Sequence, residues 1–179
     1  MGSVEELLEQ GGPWKFVFFW GHTPRVEGRL GAECFSQWWP AEFEVDGVSY
    51  PTAEHFMMAE KASLFGDDET REAILSAAHP NQAKSLGRQV RGFDTERWER
   101  ECRDIVVRAN LAKFSAHPEL REFLLGTGQR VLVEASPLDK IWGVGLSADD
   151  PRAADPEQWE GQNLLGFALM EVRRRLSIS

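Results

Sequence analysis

The chain has 179 residues, of which 42% are hydrophobic, and a formal net charge of −9. This length favours one domain with its own core, and the negative charge argues against general binding to nucleic acid or to a membrane surface. The charge is uneven, because residues 84–113 hold eight Lys or Arg and five Asp or Glu; this segment is therefore +3 and the rest of the chain is −12. A local site for a phosphate group is compatible with that distribution.

The rarer residue types narrow the class of protein further. Seven Trp and eleven Phe stand against one Tyr, and aromatic side chains either fill cores or stack on flat ligands. Cys34 and Cys102 are far apart and form no CxxC motif, which fits a reducing cytoplasm while leaving a disulfide open. The four histidines lack metal-ligand spacing, so we expect no metal. The sequence shows neither a signal-peptide pattern nor a membrane-length apolar run, so we predict a cytoplasmic protein without membrane contact.

Three patterns predict the first elements. Val4–Gln10 is typical of a short helix, ended by Gly11-Gly12-Pro13. Trp14–Trp20 is nearly all apolar and predicts a strand, which we place at the centre of a sheet. Phe43–Tyr50 predicts a β-hairpin around Asp46-Gly47.

The next helix is predicted by capping chemistry. Thr52 follows Pro51 and can cap a helix that begins at Ala53 and ends near Leu64. Glu54 and Lys61 are two turns apart on it and share one face. This pair could form half of an active site. The simpler interpretation is that Glu54 is favoured by the helix dipole and that Lys61 is solvated.

The remaining elements are predicted by caps, breakers and periodicity. They are a helix capped by Asp68 and running through Ala78, a short helix capped by Asn81 and ended by Gly87, the longest helix from Asp94 or Thr95 to about Ser115, a helix at Pro118–Leu125, a strand at Arg130–Glu134, a long loop over residues 135–162 and a last helix, Leu164–Leu176, capped by Asn163. Strands and helices do not alternate regularly, which favours an α+β fold.

No nucleotide-binding glycine motif and no nucleophile elbow is present. Carboxylates beside flat apolar walls suit glycosidic chemistry, because a carboxylate can activate water or stabilise an oxocarbenium-like centre. Taken singly, each Trp is better explained by core packing, Glu134 by a solvated strand end and Asp139 by a turn. The candidate residues are Glu54, Lys61, Arg88, Arg91, Glu134, Asp139 and Asn163, with Trp20, Trp38, Trp98 and Trp142 as flat walls.

Ten short motifs, in a fixed order, resemble one known family. They are Phe18-Phe19-Trp20, Cys34–Trp38, DGxxYPTxEHxxxAxK at Asp46–Lys61, Gly87-Arg88, Arg97-Trp98, Ala112-Lys113-Phe114, Leu124–Gly128, Leu132–Glu134, Asp139 with Trp142–Gly145, and Gly161–Gly166. Over nearly the whole chain this series resembles the NADAR, or YbiA-like, family. In the family an Asn commonly stands where this chain has Gln37, which moves an amide by one methylene.

The resemblance implies a fold, an activity and a site. The fold would be a single compact α+β YbiA-like domain over residues 1–179, helix-rich with a small sheet and with its core at about residues 14–176. The activity would be N-glycosidase, acting on phosphorylated ribosides such as early riboflavin-pathway ribosylaminopyrimidine phosphates. Alternatives are removal of ADP-ribose from guanine in nucleic acid, and a non-catalytic ADP-ribose or NAD sensor. No cofactor is implied. The implied catalytic residues are Glu54, Lys61 and Asp139, and the residues implied to line the pocket are Ser36, Trp98, Trp142 and Asn163. We also count as candidate substrate-binding residues Trp20, Gln37, Arg88, Arg91, Glu134 and Gly143. In the +3 segment, Arg88 or Arg91 is expected to bind the phosphate group, because Arg offers a planar fork that matches it.

Two mechanisms fit these residues. In one, a carboxylate activates water while another group protonates the leaving nitrogen. In the other, Lys61 attacks C1 of a ring-opened ribosylamine to form a Schiff base while Glu54 shuttles protons. The second requires a neutral Lys61, so its pKa must be lowered, whereas a closely paired Glu54 would raise that pKa.

Overall fold

The computed structural model describes residues 2–24 and 26–178. The chain folds into two compact units, one formed by Met1–Ser36 with Pro118–Ser179 and the other by Gln37–His117. Each unit has its own secondary structure and buried side chains.

The unit over residues 37–117 is built around one buried helix. Two strands are followed by four helices, and the second strand leads directly into the first of these helices, which is the central one. The bounds are β2 Phe43–Val45, β3 Val48–Tyr50, α2 Ala53–Leu64, α3 Asp68–Leu75, α4 Pro80–Gly87 and α5 Thr95–Ala116. Helix α2 packs against α3, α4 and α5.

The predicted β-hairpin is confirmed. Strands β2 and β3 pair antiparallel, with Phe43 opposite Tyr50 and Val45 opposite Val48. Asp46 and Gly47 both have positive φ values, 52° and 78°, as a two-residue hairpin turn of type I′ requires. The hairpin places Tyr50 directly before the start of α2.

Buried hydrogen bonds fix the start of α2. Thr52 is the predicted N-cap, and its Oγ1 accepts from the backbone N–H of His55 at 3.3 Å. Since the carbonyl of Ala77 can only accept, His55 Nε2 carries the proton that it donates there at 3.0 Å. Nδ1 is then the acceptor for the Thr52 hydroxyl, at 2.8 Å. His55 is fully buried and joins the start of α2 to the segment after α3.

Two helix starts in this unit differ from the prediction. Helix α3 is capped by Asp67 rather than Asp68, and α4 begins at Pro80 with His79, not Asn81, at the cap position. Proline suits the first turn of a helix because its missing N–H has no partner there in any case. The start of α5 at Thr95, with Asp94 as its N-cap, is confirmed.

The other unit combines helices with one small sheet. Its elements are α1 Val4–Gln10, β1 Phe16–Phe19, α6 Pro118–Leu125, β4 Val131–Glu134 and α7 Leu164–Ser177. Short 3₁₀ helices occur at Ala32–Phe35, Pro151–Ala154 and Pro156–Gln158.

Strand β1 is not the central strand that its apolar sequence predicted. Among the residues that the structure describes, it pairs in parallel with β4 alone, Phe16 opposite Val131 and Phe19 opposite Glu134. Helix α7 packs on β4. Only Phe19 of this strand is fully buried, so the apolar run does not mark a strand that is covered on both sides.

Asn163 precedes α7 as predicted but does not cap it. Its backbone is left-handed, with φ 51°, and its side chain makes no capping bond. The amide instead accepts from the backbone N–H of Glu134 at 3.0 Å and donates to the carbonyl of Leu132 at 2.9 Å. Asn163 therefore holds the segment directly before α7 against β4.

The predicted helix-rich α+β class with small sheets is confirmed. The prediction of one domain over residues 1–179 stays a prediction. No helix in the described part of the chain combines the length and apolarity needed to cross a membrane. Cys34 and Cys102 are buried, and neither forms a disulfide.

We predict that acidification destabilises the protein through His55. Burial lowers the pKa of His55 below its ordinary value of about 6.5, so the unfolded chain binds a proton first as the pH falls. The free energy of unfolding should decrease below pH 6.5, by no more than about 1.4 kcal/mol per pH unit for one group. Urea unfolding of the wild type and of His55→Gln between pH 7.5 and 5.5 measures this. The stability difference between them should shrink as the pH falls, and a constant difference would contradict the prediction.

Candidate functional site

Glu54 and Lys61 lie on the same buried helix, as predicted. Glu54 is in the first turn of α2 and only 6% exposed. Lys61 is in the last turn and half-buried. The two charges act on each other, since Glu54 raises the pKa of Lys61. A buried carboxylate and a half-buried amine thus stand together on one rigid element.

The amine of Lys61 lies against two aromatic rings. Its Nζ is 4.4 Å from the centroid of Phe93 and 5.4 Å from that of Trp98. Burial lowers the pKa of Lys61, the positive charge of Arg88 lowers it further, and the opposing effect of Glu54 is smaller. Burial and Arg88 therefore favour the neutral, nucleophilic form of this amine relative to a solvated lysine, whereas the two aromatic rings attract its protonated form.

Arg88 reaches this region because α4 lies very close to α2. A Cβ at Gly87 would clash with the side chain of the buried Met58, so glycine lets the two helices approach without displacing that side chain. Arg88 directly follows Gly87 at the end of α4 and is exposed. The structure therefore brings together four of the predicted residues, which are Glu54, Lys61, Arg88 and Trp98.

Arg91, in contrast, is bound within its own unit. Its guanidinium Nη2 lies 2.6 Å from Asp67 Oδ1 and 3.0 Å from Glu69 Oε2, and its backbone N–H donates to Asp67 Oδ2 at 2.9 Å. The Asp67 side chain has no exposed area, and the bonds from Arg91 hold the pKa of this carboxyl far below its usual range. Arg91 holds the segment that connects α4 to α5.

Gln37 supports Glu54 through its backbone and is buried. Its carbonyl accepts from the backbone N–H of Glu54 at 3.0 Å. Its side-chain Oε1 accepts from Asn110 Nδ2 at 2.7 Å, and its Nε2 lies 3.9 Å from Met57 Sδ. The longer amide of Gln37 is thus used to reach α5, and a substrate contact by this side chain stays a prediction.

In the other unit, β4 ends at Glu134, which is half-buried. Asn163 holds the backbone of Glu134, so these two predicted residues are neighbours. Trp20 directly follows Phe19, the partner of Glu134 in the sheet, and is 51% exposed. Ser36 ends the 3₁₀ helix at Ala32–Phe35, donating its backbone N–H to Glu33.

Asp139 organises the loop that contains Trp142. Its Oδ1 accepts from the backbone N–H groups of Ile141 and Trp142 at 2.9 and 2.8 Å, the local pattern by which Asp forms turns. Gly143 is buried, and a Cβ there would stand 2.8 Å from the carbonyl oxygen of Glu134. The structure gives Asp139 and Gly143 conformational roles. The catalytic role of Asp139 and the substrate contact of Gly143 stay predictions.

Sequence reasoning missed Phe93 and Asn110. Phe93 is 45% exposed and Asn110 is fully buried. A signal for Phe93 was present, because it precedes the N-cap Asp94 and Trp98 is the fourth helical residue. This is the spacing of a hydrophobic staple, which brings two such side chains together. Asn110 gave no comparable signal, since its partner Gln37 is 73 residues away.

Comparison with known proteins identifies the class to which this fold and this set of residues belong. The family model of the NADAR domain matches residues 18–177. The solution structure of the Escherichia coli protein YbiA superposes with a TM-score of 0.73 at 30% identity, covering 92% of this chain and 86% of that one. The chain belongs to the NADAR domain family.

Similar proteins are named for an enzymatic activity. N-glycosidase R617 of Acanthamoeba polyphaga mimivirus is 42% identical over 89% of this chain and 95% of its own length. N-glycosidase YbiA of Escherichia coli strain K12 is 36% identical over 78% of each chain. Protein irg-1 of Caenorhabditis elegans is 36% identical over 81% of this chain and 76% of its own.

Proposed function

We propose that this chain is an N-glycosidase that cleaves the C–N bond of a phosphorylated riboside, with Lys61 and Glu54 as its reacting groups. The observation that carries the proposal is the Lys61 amine, whose pKa is lowered by burial and by Arg88, on the same helix as the buried Glu54. Relatives named N-glycosidases, with 36–42% identity, support the reaction type.

The environment of Lys61 favours the covalent mechanism over direct attack by water. In the ring-opened ribosylamine, C1 is doubly bonded to the nitrogen of the base. The neutral Lys61 amine adds to C1, and the Glu54 carboxylate takes up the proton that the added nitrogen loses. Glu54 then passes this proton to the leaving nitrogen, and the base departs as a free amine while the lysine imine forms. Water then adds to C1 of the lysine imine, releasing the sugar phosphate as an aldehyde and restoring Lys61. No oxidant, reductant or cofactor is required.

Arg88 is the better candidate for the phosphate contact. Both Arg88 and Arg91 lie in the segment with a charge of +3, but Arg91 is held by Asp67 and Glu69. The exposed Arg88 offers the planar fork that matches a phosphate group. The favoured substrates are ribosylaminopyrimidine phosphates of the type formed early in riboflavin synthesis. ADP-ribosyl-guanine in nucleic acid is the second candidate, because it presents the same ribose and phosphate groups.

The central experiment is the release of free base by Glu54→Gln. This variant keeps the size of the side chain but removes its ability to transfer protons, so turnover should fall by about 10²- to 10⁴-fold. Base release is followed by absorbance with each candidate substrate, and the melting temperature is measured alongside. Wild-type turnover at an unchanged melting temperature would contradict the assignment. If the wild type binds substrates without releasing base, the chain is a sensor and not an enzyme.

Lys61 should form a covalent adduct during turnover. Borohydride added to the reacting wild type should reduce the imine and leave the sugar phosphate on Lys61, as located by peptide mapping. Lys61→Arg keeps the charge but cannot form an imine, so it should lose turnover and still bind product. An inactive Lys61→Arg without any wild-type adduct would make Lys61 an electrostatic group and water the nucleophile. Normal turnover by Lys61→Arg would exclude it from the site.

Substitution of the two arginines separates phosphate binding from stability. Arg88→Ala should raise the KM for a phosphorylated riboside about tenfold, the value of one charge-assisted hydrogen bond, and leave that of the dephosphorylated riboside unchanged. Arg91→Ala is the matched control, which should lower the melting temperature because Asp67 loses its partner. Equal changes in KM for both ribosides in Arg88→Ala would contradict the phosphate role.

A further inference from the structure

Phe93 is a large aromatic side chain held at the surface beside a reactive group. Its ring is 45% exposed, while one face lies against the Lys61 amine with Nζ 4.4 Å from the centroid. An edge-to-face contact with Phe65, with centroids 5.3 Å apart and planes at 64°, supports it. Folding on its own would favour burying such a ring.

The backbone that presents Phe93 is fixed on both sides. On one side, Arg91 is bound through its backbone and its guanidinium to the buried carboxylate of Asp67. Gly92 follows with φ 71°, a left-handed conformation that glycine adopts without strain. On the other side, Asp94 caps α5 by accepting from the backbone N–H of Arg97 at 2.7 Å. The ring of Phe93 is therefore preorganised.

From this arrangement we propose that Phe93 is the surface on which the flat base of the substrate stacks, so that it selects ribosides by their base. This inference rests on the proposed function. A protonated amine is attracted to the face of an aromatic ring. The amine stays 4.4 Å from the ring centroid when it is neutral, so a heteroaromatic base attached to the C1 that Lys61 attacks would lie next to the exposed part of the ring. Trp98, whose ring centroid is 5.4 Å from the same amine, offers a second flat surface.

A structural role for Phe93 has to be separated from stacking. Phe93 and Trp98 occupy the two positions of a hydrophobic staple at the start of α5. Leucine supplies the apolar contact of a staple but has no π face, whereas tyrosine keeps the face. Phe93→Leu and Phe93→Tyr are therefore the matched pair, each checked by its melting temperature.

The test compares two ligands in a Glu54→Gln background, in which turnover is slowed so that binding can be titrated while Lys61 keeps its place beside Phe93. The ligands are a ribosylaminopyrimidine 5-phosphate and ribose 5-phosphate, titrated by calorimetry. Phe93→Leu should weaken binding of the base-containing ligand by about 5- to 100-fold, the range for a base stacked on an aromatic side chain. It should leave ribose 5-phosphate binding unchanged, and Phe93→Tyr should bind both ligands as the parent does.

The proposal would be overturned if Phe93→Leu bound the base-containing ligand as tightly as its parent does. It would also be overturned if Phe93→Leu lost the same factor in affinity for both ligands, or if Phe93→Tyr lost as much affinity for the base-containing ligand as Phe93→Leu. The proposed function is judged separately, by base release in the wild type. A protein that releases no base but shows the contrast between the two ligands would retain Phe93 as a stacking surface and lose the enzymatic assignment.

Discussion

The buried start of α2 is the constraint on which the unit over residues 37–117 depends. Thr52, His55 and the carbonyl of Gln37 satisfy backbone and side-chain groups there through short hydrogen bonds. An unpaired polar group at this depth would cost about 1–3 kcal/mol. Because α2 contacts α3, α4 and α5, fixing its start also fixes the surroundings of Glu54 and Lys61.

The reactivity proposed for Lys61 depends on its pKa, which burial and Arg88 lower and which Glu54 raises. Glu54 alone would keep the amine protonated and unreactive. Burial and the positive charge of Arg88 act in the opposite direction and outweigh it. Arg88 is in place because Gly87 allows α4 to approach Met58. A glycine with no chemistry of its own thus contributes to the reactivity of the amine.

Two polar residues, Asp67 and Asn110, support residues of the proposed site. Asp67 binds Arg91 and so holds the backbone that presents Phe93. Asn110 binds the amide of Gln37, whose carbonyl receives the N–H of Glu54. Such supporting contacts restrict the rotamers and the backbone of the reacting residues, which is what gives a site its geometry.

The sequence by itself determined the local features of this protein. The hairpin at Asp46-Gly47, the cap at Thr52 and the shared face of Glu54 and Lys61 depend on neighbouring residues only, so turn chemistry and periodicity were sufficient. Tertiary structure decided which strands pair, so that β1 is not central. It also decided that Asn163 holds β4 instead of capping α7. Arg91 was assigned to phosphate from its charge, but its partner Asp67 is 24 residues away. The pKa of Lys61 likewise depends on burial and on Arg88, 27 residues further along the chain. Long-range pairing and burial arise only when distant segments meet, and no local pattern records which segments those are.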